Sequence, residues 1–231
     1  MTSGQGYSGK DYWDDYHDAG LAKPLDRRVK QEKWLQPFIP VLHQYGVERV
    51  LDLGCGSGYD ALVLAQLGFS VSGTDISRIA IEHAAETARR LGLDIDYRQH
   101  DIARPLPYGD AQFDAVICNL TLHMFPEPVA RDIVAEVRRC LAPGGLFLLH
   151  VNSIDDLPYR SRLQPPVVEL GGGMYSFGKG QTMRFYSEAA CRELLQGWQL
   201  LDLQAVQMLR PDGEVQKCAW RIIARSLSAA S

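Results

Sequence analysis

Apolar residues recur along this chain with two alternating periods, and the alternation itself predicts an architecture. Glu48-Arg49-Val50-Leu51-Asp52-Leu53 reads as a buried strand that stops at the run Gly54-Cys55-Gly56-Ser57-Gly58. Tyr59 to Leu67 reads as a helix with Gly68 at its C-terminal stop. Phe69 to Thr74 is a second strand, Ser77 to Leu91 a helix ended by Gly92, and Ile95 to Gln99 a third strand. Phe113 to Cys118 is a fourth strand. Pro128 to Leu141 is a helix carrying Val129, Ile133, Val134, Val137 and Leu141 on one face. Pro143-Gly144-Gly145 then turns the chain into the apolar strand Leu146 to Val151. Strands interleaved with helices of this length predict a parallel sheet with helices on both faces.

The flanks depart from that rhythm. Residues 1–25 are Gly- and Tyr-rich with scattered charge and read as an irregular arm. The spacing Trp34, Phe38, Leu42 suggests a helix between Leu25 and Tyr45, weakened in its second half by Pro37 and Pro40. Residues 152–185 read as loop, interrupted by Gly171-Gly172-Gly173, and Ser187 to Gln196 as a helix. Trp198 to Leu209 and Lys217 to Ala224 are extended and flank the turn signal Arg210-Pro211-Asp212-Gly213, so a hairpin is expected at the end of the sheet. The expected fold is therefore α/β and Rossmann-like: a seven-stranded, mostly parallel sheet with an antiparallel C-terminal strand. With no repeat or linker, residues 1–231 read as a single domain. Its parts are an N-terminal arm and helix acting as a lid (1–45), a cofactor-binding core (46–151), and a substrate loop with the C-terminal hairpin (152–231).

Composition narrows the partners. The apolar fraction of 46% and charged fraction of 23% are those of an ordinary globular chain. A net charge of −4 without a basic stripe argues against a nucleic-acid partner, which would need clustered Lys and Arg. The N-terminal residues lack the apolar stretch of a signal peptide, and no run approaches the ~20 residues that cross a bilayer. The five cysteines are scattered without a Cys-x-x-Cys pair, so neither a disulfide framework nor a metal site is expected. Reduced thiols in a cytoplasmic protein are the expectation; the pattern leaves the oligomeric state open.

The chemistry is concentrated after the first strand. Gly54, Gly56 and Gly58 let backbone approach a ligand closely, and a glycine loop between the first strand and first helix is the bed of a nucleotide site. Asp75 ends the second strand, where a carboxylate can accept hydrogen bonds from ribose hydroxyls. A dinucleotide loop would need its third glycine where Tyr59 stands, so an NAD-dependent oxidoreductase is disfavoured. Asp52 suits a ligand with a cationic end better than a pyrophosphate.

Val50 to Gly58 resembles the first motif of class I S-adenosylmethionine-dependent methyltransferases, and the likeness extends over residues 47–151. Gly73-Thr74-Asp75-Ile76-Ser77 resembles the ribose segment and Gln99-His100-Asp101-Ile102 the adenine segment. Phe113 to Leu120 resembles the fourth-strand motif, and Leu141 to Leu146 the turn into the fifth strand. The resemblance implies S-adenosyl-L-methionine as cofactor and S-adenosyl-L-homocysteine as product. Its implied binding residues are Asp52, Gly54, Cys55, Gly56, Gly58, Asp75, Ile76, Asp101, Ile102, Asn119 and Leu120. Three further segments (Tyr12-Trp13-Asp14, Leu120 to Phe125, Val151 to Asp156) are similar to bacterial tellurite-resistance and thiopurine or thiol methyltransferases. A departure in the loop after the fifth strand points away from a metalloid oxyanion.

The implied reaction is methyl transfer to a small-molecule acceptor, such as a thiol or another small metabolite. The alternatives are a natural-product O- or N-methyltransferase and a non-catalytic, S-adenosylmethionine-binding regulatory protein. The fourth strand lacks the Asn/Asp-Pro-Pro-aromatic run that grips a flipped base amine. His123, following that strand, is a candidate general base, since an imidazole titrating near 6.5 suits neutral pH. Tyr7, Tyr12, Trp13 and Tyr16 form an aromatic cluster suited to a lid over a sulfonium cation. Tyr12, Trp13, Tyr16, Asn152 and Arg184 are the candidate substrate contacts, with Tyr175 and Lys217 weaker ones.

Overall fold

A computed structural model of the chain describes residues 10–21, 34–160, 167–177, 181–209 and 213–227. Its centre is a seven-stranded sheet in the order β3-β2-β1-β4-β5-β10-β9. The strands are β1 (Arg49–Leu53), β2 (Ser70–Asp75), β3 (Ile95–Gln99), β4 (Phe113–Asn119), β5 (Leu141–Asn152), β9 (Trp198–Leu209) and β10 (Val215–Ser226). β1 to β5 pair in parallel, and β10 runs antiparallel between β5 and β9. The Rossmann-like α/β fold read from the alternation is thus present, with its reversed strand. The order reverses beside β1: β2 lies on one side of it and β4 on the other. That switch point is where open α/β sheets take ligands.

The inner strands look uniformly apolar because both faces are covered. Val50, Ala115, Ile117, Leu146 and Leu148 pack under α2 (Ile39–Gln44) and α3 (Tyr59–Gln66), joined by Trp34 and Phe38. Leu51, Leu53, Val116, Cys118, Phe147 and Leu149 face the other way, toward α5 (Glu127–Cys140) and α7 (Glu188–Leu194). Leu51, Ile117, Phe147 and Leu148 are completely buried. Each such side chain stabilises the fold by roughly 1.5–3 kcal/mol relative to exposure. α4 (Arg78–Arg90) begins at Ser77, whose hydroxyl accepts from the Ala80 N–H at 3.1 Å.

Two segments differ from their sequence reading. Lys10–Leu21 forms a helix, α1, rather than an irregular arm. Its order comes from tertiary contact, since Trp13 packs against the core. Residues after β5 hold a short helix, α6 (Leu157–Arg160), and a small antiparallel sheet of β6 (Val168–Gly171), β7 (Met174–Ser176) and β8 (Thr182–Arg184). Glycines hid this sheet from a hydrophobic-pattern reading: Gly172 and Gly173 sit in the β6–β7 turn with positive φ. Tyr7, the first part of the expected 25–45 helix and Arg210-Pro211-Asp212 lie outside the described residues. Among the described residues, no helix is long and apolar enough to cross a membrane.

Candidate active site

The bend after β1 is fixed by backbone. The Gly54 and Cys55 N–H groups both donate to the Thr74 carbonyl, at 2.8 and 2.9 Å, pinning the loop to the end of β2. Gly54 has φ +74°, and a Cβ there would overlap the Thr121 side chain. Only glycine serves at that position. Gly56 donates its N–H to Asp75 Oδ2 at 2.9 Å, while the Ser77 N–H donates to Oδ1 at 2.9 Å. Asp75 is thereby oriented by two backbone donors, and each oxygen keeps acceptor capacity. Burial pushes its carboxyl above the usual range despite those donors.

The bend opens into a cavity of about 400 Å³. Asp52, Gly54, Cys55 and Gly56 line it from β1 and the loop, Asp75 and Ile76 from β2. Asp101 and Ile102 follow β3 on its wall, and Asn119 and Leu120 close β4. The chain thus gathers into one cavity residues that lie far apart in sequence. Gly58 is not on the lining. It caps α3 in a left-handed conformation (φ +79°), where a Cβ would come within 2.8 Å of the Ala84 Cβ. Its role is to let the loop lie against α4.

α1 forms the other side. Trp13, Tyr16 and His17 share one helical face (i, i+3, i+4) and line the cavity. The helix is docked by Asp14, which accepts from the Ser77 hydroxyl at 2.6 Å and from the Ile79 N–H at 3.3 Å. Burial lowers the His17 imidazole below its ordinary range, against the pull of Asp75 and Asp14. Tyr12 is not on the lining; its hydroxyl accepts from the Gln181 side-chain amide and ties α1 to the segment before β8.

Beneath the cavity lies a polar cluster. Asp60, in the first turn of α3, accepts at Oδ2 from Trp34 Nε1 (2.7 Å) and Asn119 Nδ2 (3.0 Å). Asn119 Oδ1 lies 3.0 Å from His150 Nδ1, and the imidazole stacks on Trp34 with centroids 5.6 Å apart. Leu120 follows with φ +53°, a left-handed conformation unusual for a non-glycine residue. Asp52 is 2% exposed, and its Oδ2 has no hydrogen-bond partner among the described residues.

His123 is placed elsewhere. It is buried, it is not on the cavity lining, and burial holds its imidazole well below the usual range. Asn152 is fully buried and donates from Nδ2 to Met183 Sδ at 3.8 Å. Arg184 lies 4.6 Å over the Tyr186 ring and 3.7 Å from the Glu127 carboxylate. Tyr175 packs edge-on against Phe185, and Lys217 lies in β10 away from the lining. Sequence reasoning missed His17, Tyr59, Asp60, His100 and Thr121 on the lining, together with Met124 and Phe125. Asp60 adjoins the glycine motif, and His100, Thr121, Met124 and Phe125 lie within motif segments, so these were within reach; His17 required knowing that α1 is a helix.

The arrangement can hold a nucleoside with a cationic end. A glycine bend closed to a Cβ at Gly54, a backbone-oriented carboxylate and a buried carboxylate oxygen without a hydrogen bond among the described residues all face one cavity. Comparison with known proteins agrees. Residues 50–145 match the family model described as a methyltransferase domain. The matched stretch runs from β1 into β5 and carries most of the cavity lining. A ubiquinone biosynthesis O-methyltransferase of Roseobacter denitrificans is 39% identical over 132 residues, 57% of this chain and 48% of that protein. A solved S-adenosylmethionine-dependent methyltransferase of Methanosarcina mazei superimposes with a TM-score of 0.68 at 26% identity, covering 82% of this chain and 98% of that one. The fold also matches a Burkholderia thailandensis 1,6-didemethyltoxoflavin N1-methyltransferase, solved with S-adenosylhomocysteine bound. That match has a TM-score of 0.67 at 22% identity and covers 96% and 91% of the two chains. Alignments to the first curated relatives span 38% to 53% of their length.

Proposed function

We propose that this chain transfers a methyl group from S-adenosylmethionine to a small-molecule acceptor bound between the glycine bend and α1. The observation that carries the reading is Asp75, held by the Gly56 and Ser77 N–H groups on the wall of a cavity that the methyltransferase domain builds. When bound, the cofactor would supply a methyl group activated by its sulfonium and leave as S-adenosylhomocysteine, the acceptor's proton passing to solvent. Asp75 would accept from the ribose hydroxyls, and the Asp101–Ile102 segment would meet the adenine. Orientation of the reacting pair is the main contribution asked of the protein, and such positioning can account for about 7–11 kcal/mol of barrier reduction.

Trp13, Tyr16, Met124 and Phe125 give the acceptor side an apolar, aromatic character. That surface suits a small planar or sulfur-bearing molecule, since sulfur and aromatic rings make favourable contacts, often at the ring edge. A thiol acceptor also needs no strong base. α1 acts as the lid, excluding water from the transfer. Five free thiols, four of them buried, suit a reducing, cytoplasmic compartment.

The test is turnover. Incubation with S-adenosylmethionine and panels of thiols, phenols and amines should release S-adenosylhomocysteine with at least one class, thiols first. A protein that binds neither nucleoside at millimolar concentration overturns the reading.

A further inference from the structure

Asp52 lies one residue before the end of β1 and Asp60 in the first turn of α3, and the two carboxylates line the same cavity while 2% and 8% exposed. Their surroundings are unequal. Asp60 Oδ2 receives two side-chain N–H donors, from Trp34 and Asn119. Asp52 receives the backbone N–H of Ala61, and its Oδ2 has no partner among the described residues. The titratable groups that bear on Asp52 are Asp60 from α3 and Asp75 from β2; it in turn bears on Cys55 in the loop, Tyr97 on β3 and Cys118 on β4. None of these supplies a positive charge, and His17 on α1 acts on Asp75 rather than on Asp52. Two ionised carboxylates on one desolvated wall repel, and the usual resolution is a shared proton. The donors on Asp60 favour its charged form, so Asp52 holds the proton; burial acts in the same direction.

We propose that Asp52 and Asp60 carry one negative charge between them in the free protein and two when a cationic nucleoside is bound, a proton leaving as the cation enters. We take the cation that meets the pair to be the sulfonium, not the α-ammonium that both nucleosides carry, so that the pair distinguishes donor from product by charge. S-adenosylmethionine carries a sulfonium that S-adenosylhomocysteine, a neutral thioether, lacks, and both share the remaining groups. The inference rests on the cofactor reading above and adds Asp60 and a proton to it. Its chemical balance is simple: one carboxyl O–H bond breaks, the proton passes to buffer, and the cation replaces it as the partner of the charge.

Isothermal titration calorimetry of the full chain reads this directly. Binding enthalpies measured in phosphate and Tris between pH 5.5 and 7.5 give the number of protons exchanged. Up to one proton should leave on binding S-adenosylmethionine or its ammonium analogue sinefungin, and close to none on binding S-adenosylhomocysteine. Where Asp52 is protonated, the preference for donor over product should shrink about 10-fold per unit fall in pH. D52N should abolish the released proton and bring donor and product affinities within a few-fold of each other. D60N, by removing the repulsion, should lower the proton count while leaving donor binding measurable. Equal proton counts for the two nucleosides in the unsubstituted protein overturn this proposal alone, whether or not the variants fold. Failure of both nucleosides to bind overturns the cofactor reading with it.

Discussion

Asp75 holds the ends of two strands together and faces the cavity, so its removal should be felt first in cofactor affinity. A hydrogen bond to a charged group contributes about 1.5–3 kcal/mol. D75A should therefore weaken S-adenosylmethionine binding by about 10- to 150-fold, as measured by calorimetry; unchanged affinity would remove Asp75 from the site. His123 gives the opposite expectation. Its imidazole is buried off the cavity lining and held neutral, so H123A should change turnover by less than about 10-fold and leave the shape of the pH–rate profile near neutrality intact. A loss above 100-fold with a new pH dependence would restore it as a base. Asp75 stands out in the sequence because it follows the glycine loop by about 20 residues at the end of a strand, and the structure puts it on the cavity lining. For His123, proximity in sequence to the end of β4 does not fix the direction of the side chain, and in the 3₁₀ turn Leu122–Met124 it is buried off the lining.

At the scale of elements, α1 is held over the cavity by Trp13 packing, by the Tyr12–Gln181 contact and by Asp14 at the N-terminus of α4. Losing the two hydrogen bonds that Asp14 accepts, one of them long at 3.3 Å, should cost at least about 1 kcal/mol of docking. D14A should raise the apparent Kd for cofactor about 5-fold and raise the acceptor KM with it, while the melting temperature of the sheet barely moves. A change in melting temperature without a change in either constant would separate α1 from the site. The helix was hidden from the pattern because its aromatic face, Trp13, Tyr16 and His17, is completed only by residues from β1, β2 and β4. The small sheet β6–β8 was hidden for a related reason: its strands are three or four residues long, too short to show a period.

The whole molecule registers its buried imidazoles as a dependence of stability on pH. His150 is buried in β5, and desolvation, aided by the charges of Lys217 and Arg221, lowers it to about 3. In the unfolded chain an imidazole titrates near 6.5. Between those values the unfolded chain binds more protons, so this contribution is complete above about pH 6.5 and drains as pH falls toward 3. The slope for one such group is at most about 1.4 kcal/mol per pH unit. Denaturant midpoints at pH 7.5, 6 and 5 should fall in that order, and H150Q should flatten the trend; His123, shifted in the same direction, keeps part of it. A midpoint that rises on acidification would contradict the assignment.

The chain's own pattern determined the alternation of strands and helices, the reversed strand at the end, and the glycine bend with its partner Asp75. These are local properties: a period of two or 3.6, a left-handed glycine, a carboxylate at a strand end. Tertiary structure alone decided that Asp60, Asn119, His150 and Trp34 form one polar cluster under the cavity and that His17 faces it from α1. It also decided that Asn152 and Arg184 pack away from it. Those outcomes depend on which elements become neighbours across the sheet. Burial, and hence the charge state of each carboxyl and imidazole, is a property of the assembled layers that no single stretch of sequence carries.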